Sequence, residues 1–256
     1  MLAVLSPAKR LDWADRPDIT QTQPDMLTEA NRLVKTARTL TAEDLSRLMD
    51  ISADLGKLNA TRFKTYKQRG IADTRPAAFA FAGDTYQGLE AQSLSEDALR
   101  WADGNLRILS GLYGLLRPTD AIQPYRLEMG TRLVTERGKT LYAYWGDRIS
   151  KGLNKTAKAA ETDILVNCAS QEYFTAVDRK ALKLRVITPV FLEDQNGTAK
   201  TISFFAKRAR GAMAGWIVRE RITAAKALVE FAELGYRYDP GRSTPDRPVF
   251  IRRNDG

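Results

Sequence analysis

The twenty-one residues from Ser110 to Gly130, SGLYGLLRPTDAIQPYRLEMG, constrain the fold more than any other stretch of this chain. They hold glycines at 111, 114 and 130, prolines at 118 and 124, and arginines at 117 and 126. Glycine gives access to positive φ and close backbone approach, whereas proline restricts φ and removes an N–H donor. No single helix or strand runs through such punctuation, yet Leu109, Leu112, Leu115, Leu116 and Ile122 are apolar enough to be packed. A packed irregular segment with two arginines reads as a functional loop, or as a long ordered connector whose arginines cap carboxylates.

Charge decides what kind of partner such a loop would meet. Lys and Arg number 40 against 31 Asp and Glu, a net charge of +9. Residues 200–256 alone carry 12 basic and 6 acidic side chains, so most of the excess lies in the C-terminal part. That balance leans toward a polyanionic partner such as nucleic acid. Histidine is absent and Cys168 is the only cysteine. These absences exclude a Ser-His-Asp triad, a Cys-His pair, a zinc finger and a histidine-held haem. Neither a metal site nor a cofactor is expected. Cys168 sits in an apolar run and reads as a buried core residue rather than a peroxide sensor, which needs thiolate character and exposure. No run reaches the roughly 18 apolar residues of a membrane span, and LAVL at 2–5 reads as a strand rather than a signal peptide. The expectation is a cytoplasmic monomer with no membrane partner.

The apolar spacing predicts one compact α/β domain over 1–256 with a mixed sheet and an N-terminal helical cluster. After the strand at 2–5, helices are expected from Leu27 to Ala37, from Thr41 to about Met49, and from Ser52 past Phe63. Residues 77–81, AAFAF, read as a strand with Gly83-Asp84 as its turn, and a short helix follows Ser95. Leu141, Trp145, Ile149 and Leu153 define one helix face, and residues 163–168 form a buried strand. Gln195-Asn196-Gly197 between two strand-like runs is a hairpin signal. A helix over 206–222, another to about Phe231 and an edge strand in RPVFIRR complete the pattern.

Three groups of residues could carry chemistry. On the helix over 206–222, Ala206, Ala209, Met213, Trp216 and Ile217 share one arc. Lys207, Arg208, Arg210, Arg219 and Arg221 lie opposite, interleaved with Gly211, Ala214 and Gly215. Glycine costs about 1 kcal/mol in a helix interior, so a phosphate or a neighbouring helix is expected to approach there. The hairpin within 41–67 places Leu48, Ile51 and Leu55 at apolar positions, with Ser52 as a cap and Lys57, Arg62, Lys64 and Lys67 nearby. Lastly, Ser6 and Lys9, then Asp84 and Tyr86, then Asn167, Ser170, Glu172 and Tyr173 follow predicted strands, where α/β sheets bind ligands. Such a set could bind a nucleotide and move protons without histidine, or simply tie loops to the sheet.

The segment at 110–130 resembles the signature of the YaaA family. LSPAK at 5–9, FAGDTYQGL at 81–89, NCASQEY at 167–173, PVFLED at 189–194 and ISFFAKRARG at 202–211 match in the same order along nearly the whole chain. The resemblance implies a DNA-binding protein of mixed α/β fold that limits oxidative damage by restraining free iron. It also implies that the hairpin at 48–55 is a helix-hairpin-helix whose amides meet a DNA phosphate. Asp50 and Ser52 stand where that motif has glycines, and Asp50 would repel a phosphate.

Two functions from different classes follow. One is a DNA-binding protein without sequence specificity, contacting double-stranded or structured DNA through Lys9, Leu48, Ile51, Ser52, Lys57, Arg117, Arg126, Lys207, Arg208 and Arg210. The other is an enzyme acting on a nucleotide, nucleobase or other small phosphorylated ligand, with Lys9, Asp84, Asn167, Ser170, Glu172 and Tyr173 in one pocket. A third class, a basic scaffold with no specific ligand, predicts no pocket. Arg117 and Arg126 are expected beside Lys207 and Arg210 in one positive cleft near Lys9, with Asp84, Glu128 or Glu172 holding the empty cleft together.

Overall fold

Leu2, Ala3, Val4 and Leu5 are fully sealed from solvent, and as β1 (Leu2–Leu5) they form the middle strand of the larger sheet. An unbroken apolar strand is what a sheet covered on both faces requires. The computed structural model describes residues 1–68, 72–195 and 197–253. After β2 (Arg10–Leu11) come α1 (Leu27–Ala37), α2 (Ala42–Met49) and α3 (Ala53–Thr65). α1 buries Ala30, Leu33, Val34 and Ala37, the face its spacing predicts. α2 opens on a reciprocal cap in which Thr41 Oγ1 accepts from the Asp44 amide and the Asp44 carboxylate accepts from the Thr41 amide.

Residues 77–81 depart from the expected strand. β3 (Arg75–Pro76) leads into the single turn α4 (Ala77–Ala80), then β4 (Phe81–Ala82). Five consecutive apolar residues show no alternation, and three of them are alanines, which favour a helical turn. Gly83, at φ 150, redirects the chain, and Asp84 begins α5 (Asp84–Leu89) instead of ending a turn. α6 (Glu96–Asn105) is capped by Ser95 as its sequence predicts. β5 (Leu106–Ser110), β6 (Gly114–Leu116) and β7 (Ala121–Ile122) then carry the chain through the punctuated segment. The predicted helix over 141–153 is two helices, α7 (Leu141–Trp145) and α8 (Arg148–Ala159), because Gly146 takes φ 50 between them.

β8 (Ile164–Asn167), the four-residue α9 (Gln171–Phe174) and β9 (Arg185–Ile187) complete the larger sheet, whose order is β6-β5-β1-β8-β9. All its pairings are parallel except β5 with β6. A second mixed sheet holds β10 (Val190–Gln195), β11 (Thr198–Lys200), β12 (Tyr236–Tyr238) and β13 (Val249–Arg253), in the order β11-β10-β13-β12. Gln195 pairs with Thr198 across the predicted hairpin; Asn196 of that turn lies outside the described residues. β13 is an inner strand rather than the expected edge, flanked by β10 and β12. The C-terminal helix α10 spans Ser203–Arg219, so ISFF enters a helix after Lys200 instead of extending the hairpin. Residues 225–230 form a 3-10 turn where an α-helix is expected. The chain is α/β as its pattern predicts, with two principal mixed sheets in place of one.

Candidate functional site

The signature segment carries its two arginines to opposite ends of the larger sheet. β5 runs parallel to β1 and delivers Ser110 to the carboxyl end, and β6 returns antiparallel, with Leu116 beside Ile108. Arg117 therefore emerges at the amino end. There its guanidinium pairs with Asp25 and lies 3.5 Å from the fully buried Asp120. Asp120 also accepts from the Arg117 amide and from the Thr22 hydroxyl, both at 2.7 Å. The chain then climbs back, and Tyr125 reaches Ser110 across 2.6 Å. Gly111 lets this returning segment pass, since a Cβ there would stand 2.2 Å from the Leu127 carbonyl oxygen. Arg126 thus ends up at the carboxyl end, donating to Glu128 at 2.9 Å, and Glu128 also holds Lys9 at 2.9 Å. The expected pairing of Arg117 with Arg126 in one cleft is corrected on this point. The return of β6 along β5 sends Arg117 to one end, and the segment after it carries Arg126 to the other.

At the carboxyl end of β1 and β8 lies a cleft of about 310 Å³. Ser6, Pro7, Ala8, Lys9 and Arg10 leave β1 to form one wall, and Cys168, Ser170, Glu172 and Tyr173 leave β8 to form another. Gly83, Asp84 and Thr85 contribute from the start of α5, and α10 supplies Lys207 and Arg210. Five of the six candidate acid–base residues therefore meet, together with two of the candidate DNA contacts on α10. Asn167 does not line the cleft: its Oδ1 accepts from the Ala169 amide at 3.0 Å and its amide donates to Thr188. It shapes the turn that presents Ser170.

The hydroxyls are already organised. The Ser170 amide donates to Ser6 Oγ at 2.8 Å, Ser6 Oγ donates to Ser170 Oγ at 3.2 Å, and the Tyr86 hydroxyl donates to the Ser6 carbonyl. Glu172 is oriented by the Gly130 amide, which donates to Oε1 at 2.9 Å. Burial, reinforced by Tyr125 and Glu172, pushes the Tyr173 phenol well above its usual range, so it serves as a donor and not as a base. Burial pushes the Cys168 thiol up to about 12, against the opposing charge of Arg210. It is not a thiolate at neutral pH.

Arg210 is the outstanding electrostatic feature. Its guanidinium is largely withdrawn from water, and that burial lowers its pKa. Among the described residues it has neither an ion-pair partner nor a hydrogen-bond acceptor. Other withdrawn arginines are provided for: Arg38 donates to the carbonyls of Phe63 and Tyr66, and Arg107 to those of Asp103 and Leu106. Arg208 has a buried Nε that finds no acceptor, whereas the nitrogens of the half-buried Arg210 still reach the cleft. Arg62 on α3 is a third case, its pKa lowered by burial and by the neighbouring charge of Arg126. A cationic line thus runs from Arg210 and Lys207 through Lys9 and Arg126 to Arg62, with Glu128 clamped between Lys9 and Arg126.

The glycines of α10 do not open its backbone to a ligand. A Cβ on Gly211 would stand 1.8 Å from the Thr85 carbonyl oxygen, and one on Gly88 would stand 2.0 Å from the Arg208 carbonyl oxygen. The close neighbour is helix α5, which settles that alternative in favour of helix packing. The packing has its own consequence: it brings Asp84 and Thr85 to the same cleft as Lys207 and Arg210. Gly88, which sequence reading did not single out, is the other half of this contact. Arg10 was also missed as a lining residue, because only the pairing of β2 with β4 turns it toward the cleft.

The α2–α3 hairpin is tight. Asp50 takes φ 50, a conformation asparagine, aspartate and glycine share, and Ser52 Oγ caps α3 by accepting from the Leu55 amide. Gly56 passes so close to α2 that a Cβ would meet Ser46 Oγ at 2.0 Å. Leu48 and Ile51 pack against the core, while Ser52, Lys57, Leu55 and Leu58 are exposed.

Comparison with known proteins places the sequence in a family. The sequence matches the family described as peroxide stress protein YaaA over residues 1–242. The chain belongs to the YaaA family. A UPF0246 protein of Ruegeria pomeroyi is 61% identical over the whole of both chains. One from Roseobacter denitrificans is 60% identical over 98% of each, and one from Jannaschia is 56% identical over 98% of this chain and 97% of its own. In this YaaA-family chain the matched region includes the cleft, the hairpin and all of α10. Among the described residues no helix is long and apolar enough to cross a membrane.

Proposed function

We propose that this protein binds double-stranded or structured DNA in the cytoplasm during peroxide stress and so limits damage linked to free iron. The observation that supports this most is the meeting of Lys9, Arg10, Lys207 and Arg210 at one cleft, with Arg210 lacking any protein acceptor among the described residues. A half-withdrawn cation without a partner has lost part of its hydration, and an arriving anion restores that loss. DNA phosphate is such an anion, and cations aimed at phosphates bind without regard to sequence. Arg208 does not line the cleft, while Arg126 and Arg62 extend the cationic surface toward α3. The α2–α3 hairpin is the lesser contact of a helix-hairpin-helix type. Ser52 and Lys57 are exposed there, but Asp50 and Asp54 oppose a phosphate at that helix start.

Titration of duplex and four-way-junction DNA in rising salt tests the reading. Affinity is expected to fall steeply, and the double variant Lys207→Ala/Arg210→Ala is expected to reduce the salt slope by about two. Unchanged affinity and slope in a folded double variant would move the surface to the hairpin.

A second reading has its own support. Lys9, Asp84, Ser170, Glu172 and Tyr173 gather with the Ser6 hydroxyl in a cavity at the small end of ligand pockets, which run from about 300 to 1,000 Å³. Those groups suit acid–base chemistry on a nucleotide or other phosphorylated substrate. Turnover of such a compound, lost in Lys9→Met and in Glu172→Gln, is what this reading expects.

A further inference from the structure

The cleft is too small for the partner just proposed to enter whole. A duplex whose major groove alone is about 12 Å wide can lie across a cavity of about 310 Å³ but cannot fill it. Arg210 lines the cavity close to the buried Cys168 thiol, and no phosphate of an intact duplex backbone is free to leave the helix and enter beside it. A terminal phosphate is. It hangs on one ester bond, carries more charge than a backbone diester, and has three oxygens free for a guanidinium and hydroxyls.

We infer that the cleft takes a single nucleotide bearing a terminal phosphomonoester, whether the end of a DNA strand or a free mononucleotide, with Arg210 receiving the phosphate. This rests on the anion-binding reading of the cleft and narrows it to one chemical class. The planar fork of Arg210 suits bidentate capture of phosphate oxygens. Ser6 and Ser170, already bonded to each other, present hydroxyls that can turn to the same group. Pro7, Ala8, Ala82 and the ring of Tyr173 give the remaining wall an apolar surface on which sugar and base can rest. For a strand end, the next phosphates run along the line of Lys9, Arg126 and Arg62 toward α3.

Binding is measured by fluorescence anisotropy at one moderate salt concentration. The probes are labelled hairpin oligonucleotides that differ only in carrying a 5′-phosphate, a 3′-phosphate or neither, with dAMP as unlabelled competitor. At least one phosphorylated probe should bind about tenfold more tightly than the unphosphorylated one, the worth of one charged hydrogen-bonded contact. Addition of dAMP should remove that preference. Arg210→Met should erase it, and Arg210→Lys should retain part of it. The wild-type comparison stands without any variant, so the test survives a variant that fails to fold.

Equal affinity for all three probes, with a steep salt dependence, overturns the inference and leaves DNA binding in place. If no probe binds but dAMP still raises the melting temperature of the wild type and not of Arg210→Met, the nucleotide pocket stands and DNA binding falls. Failure of the probes and of dAMP overturns both.

Discussion

The two ends of the larger sheet hold similar charged groups and treat them in opposite ways. At the amino end Arg117 is met by Asp25 and Asp120, Asp103 accepts from Thr119, and Arg107 donates to two carbonyls. At the carboxyl end Arg210 and Lys207 face a cleft without a paired carboxylate among the described residues, and Glu128 alone joins Lys9 to Arg126. One signature segment supplies an arginine to each end, so richness in arginine does not mark a site. Missing acceptors do. A protein bears the cost of an unpaired, withdrawn guanidinium where an incoming anion repays it in binding, as stability is given up for function elsewhere.

The largest way to break this contrast is mechanical. Gly211→Val would drive a branched side chain into the Thr85 carbonyl, and it should cost about 3 kcal/mol or more in urea unfolding. Because α10 itself carries Lys207 and Arg210, DNA binding should fall with it. Next is Arg117→Met at the closed end, which leaves the buried Asp120 short of its cation. It should cost about 2 to 3 kcal/mol with DNA affinity unchanged. Burial already raises the pKa of Asp120 and of Asp103. A raised carboxyl contributes stability that is present at low pH and lost as pH rises through its folded value. The deficit of Arg117→Met should therefore be greatest near neutral pH and shrink on acidification; a deficit flat with pH would show that Asp120 is not its source.

Smaller effects sharpen the open end. Glu128→Gln releases Lys9 and Arg126 together and should tighten DNA binding about threefold, the worth of a partly exposed ion pair. Weaker binding would mean that Glu128 positions those cations rather than occupying them. Cys168→Ser should leave DNA binding and peroxide survival unchanged, because burial keeps the thiol protonated. Rapid alkylation of Cys168 in the native protein at neutral pH would contradict this.

How much of this is legible in the sequence depends on the range of each interaction. Local signals are reliable here: the Thr41 and Asp44 cap, the Ser95 cap and the apolar strand at 2–5 are decided within a few residues. The AAFAF run misleads because it lacks any period, and Gly146 splits a helix whose apolar spacing continues past it. In the cleft, the residue types after β1 and β8 are readable from strand ends. The separation of Arg117 from Arg126 is not, since it follows from β6 turning back along β5. Nor is the occupant of the α10 glycines. Two glycines announce a close approach, but only the fold shows that Gly88 of α5 is the neighbour.

The central claim is that Arg210 is kept for a ligand at the expense of the empty protein, whereas Arg117 is kept for the fold. Arg210→Met, measured beside Arg117→Met in urea without ligand and in DNA titrations over a range of salt, tests it most directly. Arg210→Met should be about 1 kcal/mol more stable than the wild type and lose about one unit of salt slope. Arg117→Met should be less stable and bind normally. An Arg210→Met protein that is destabilised while binding DNA with full affinity and slope would contradict the account.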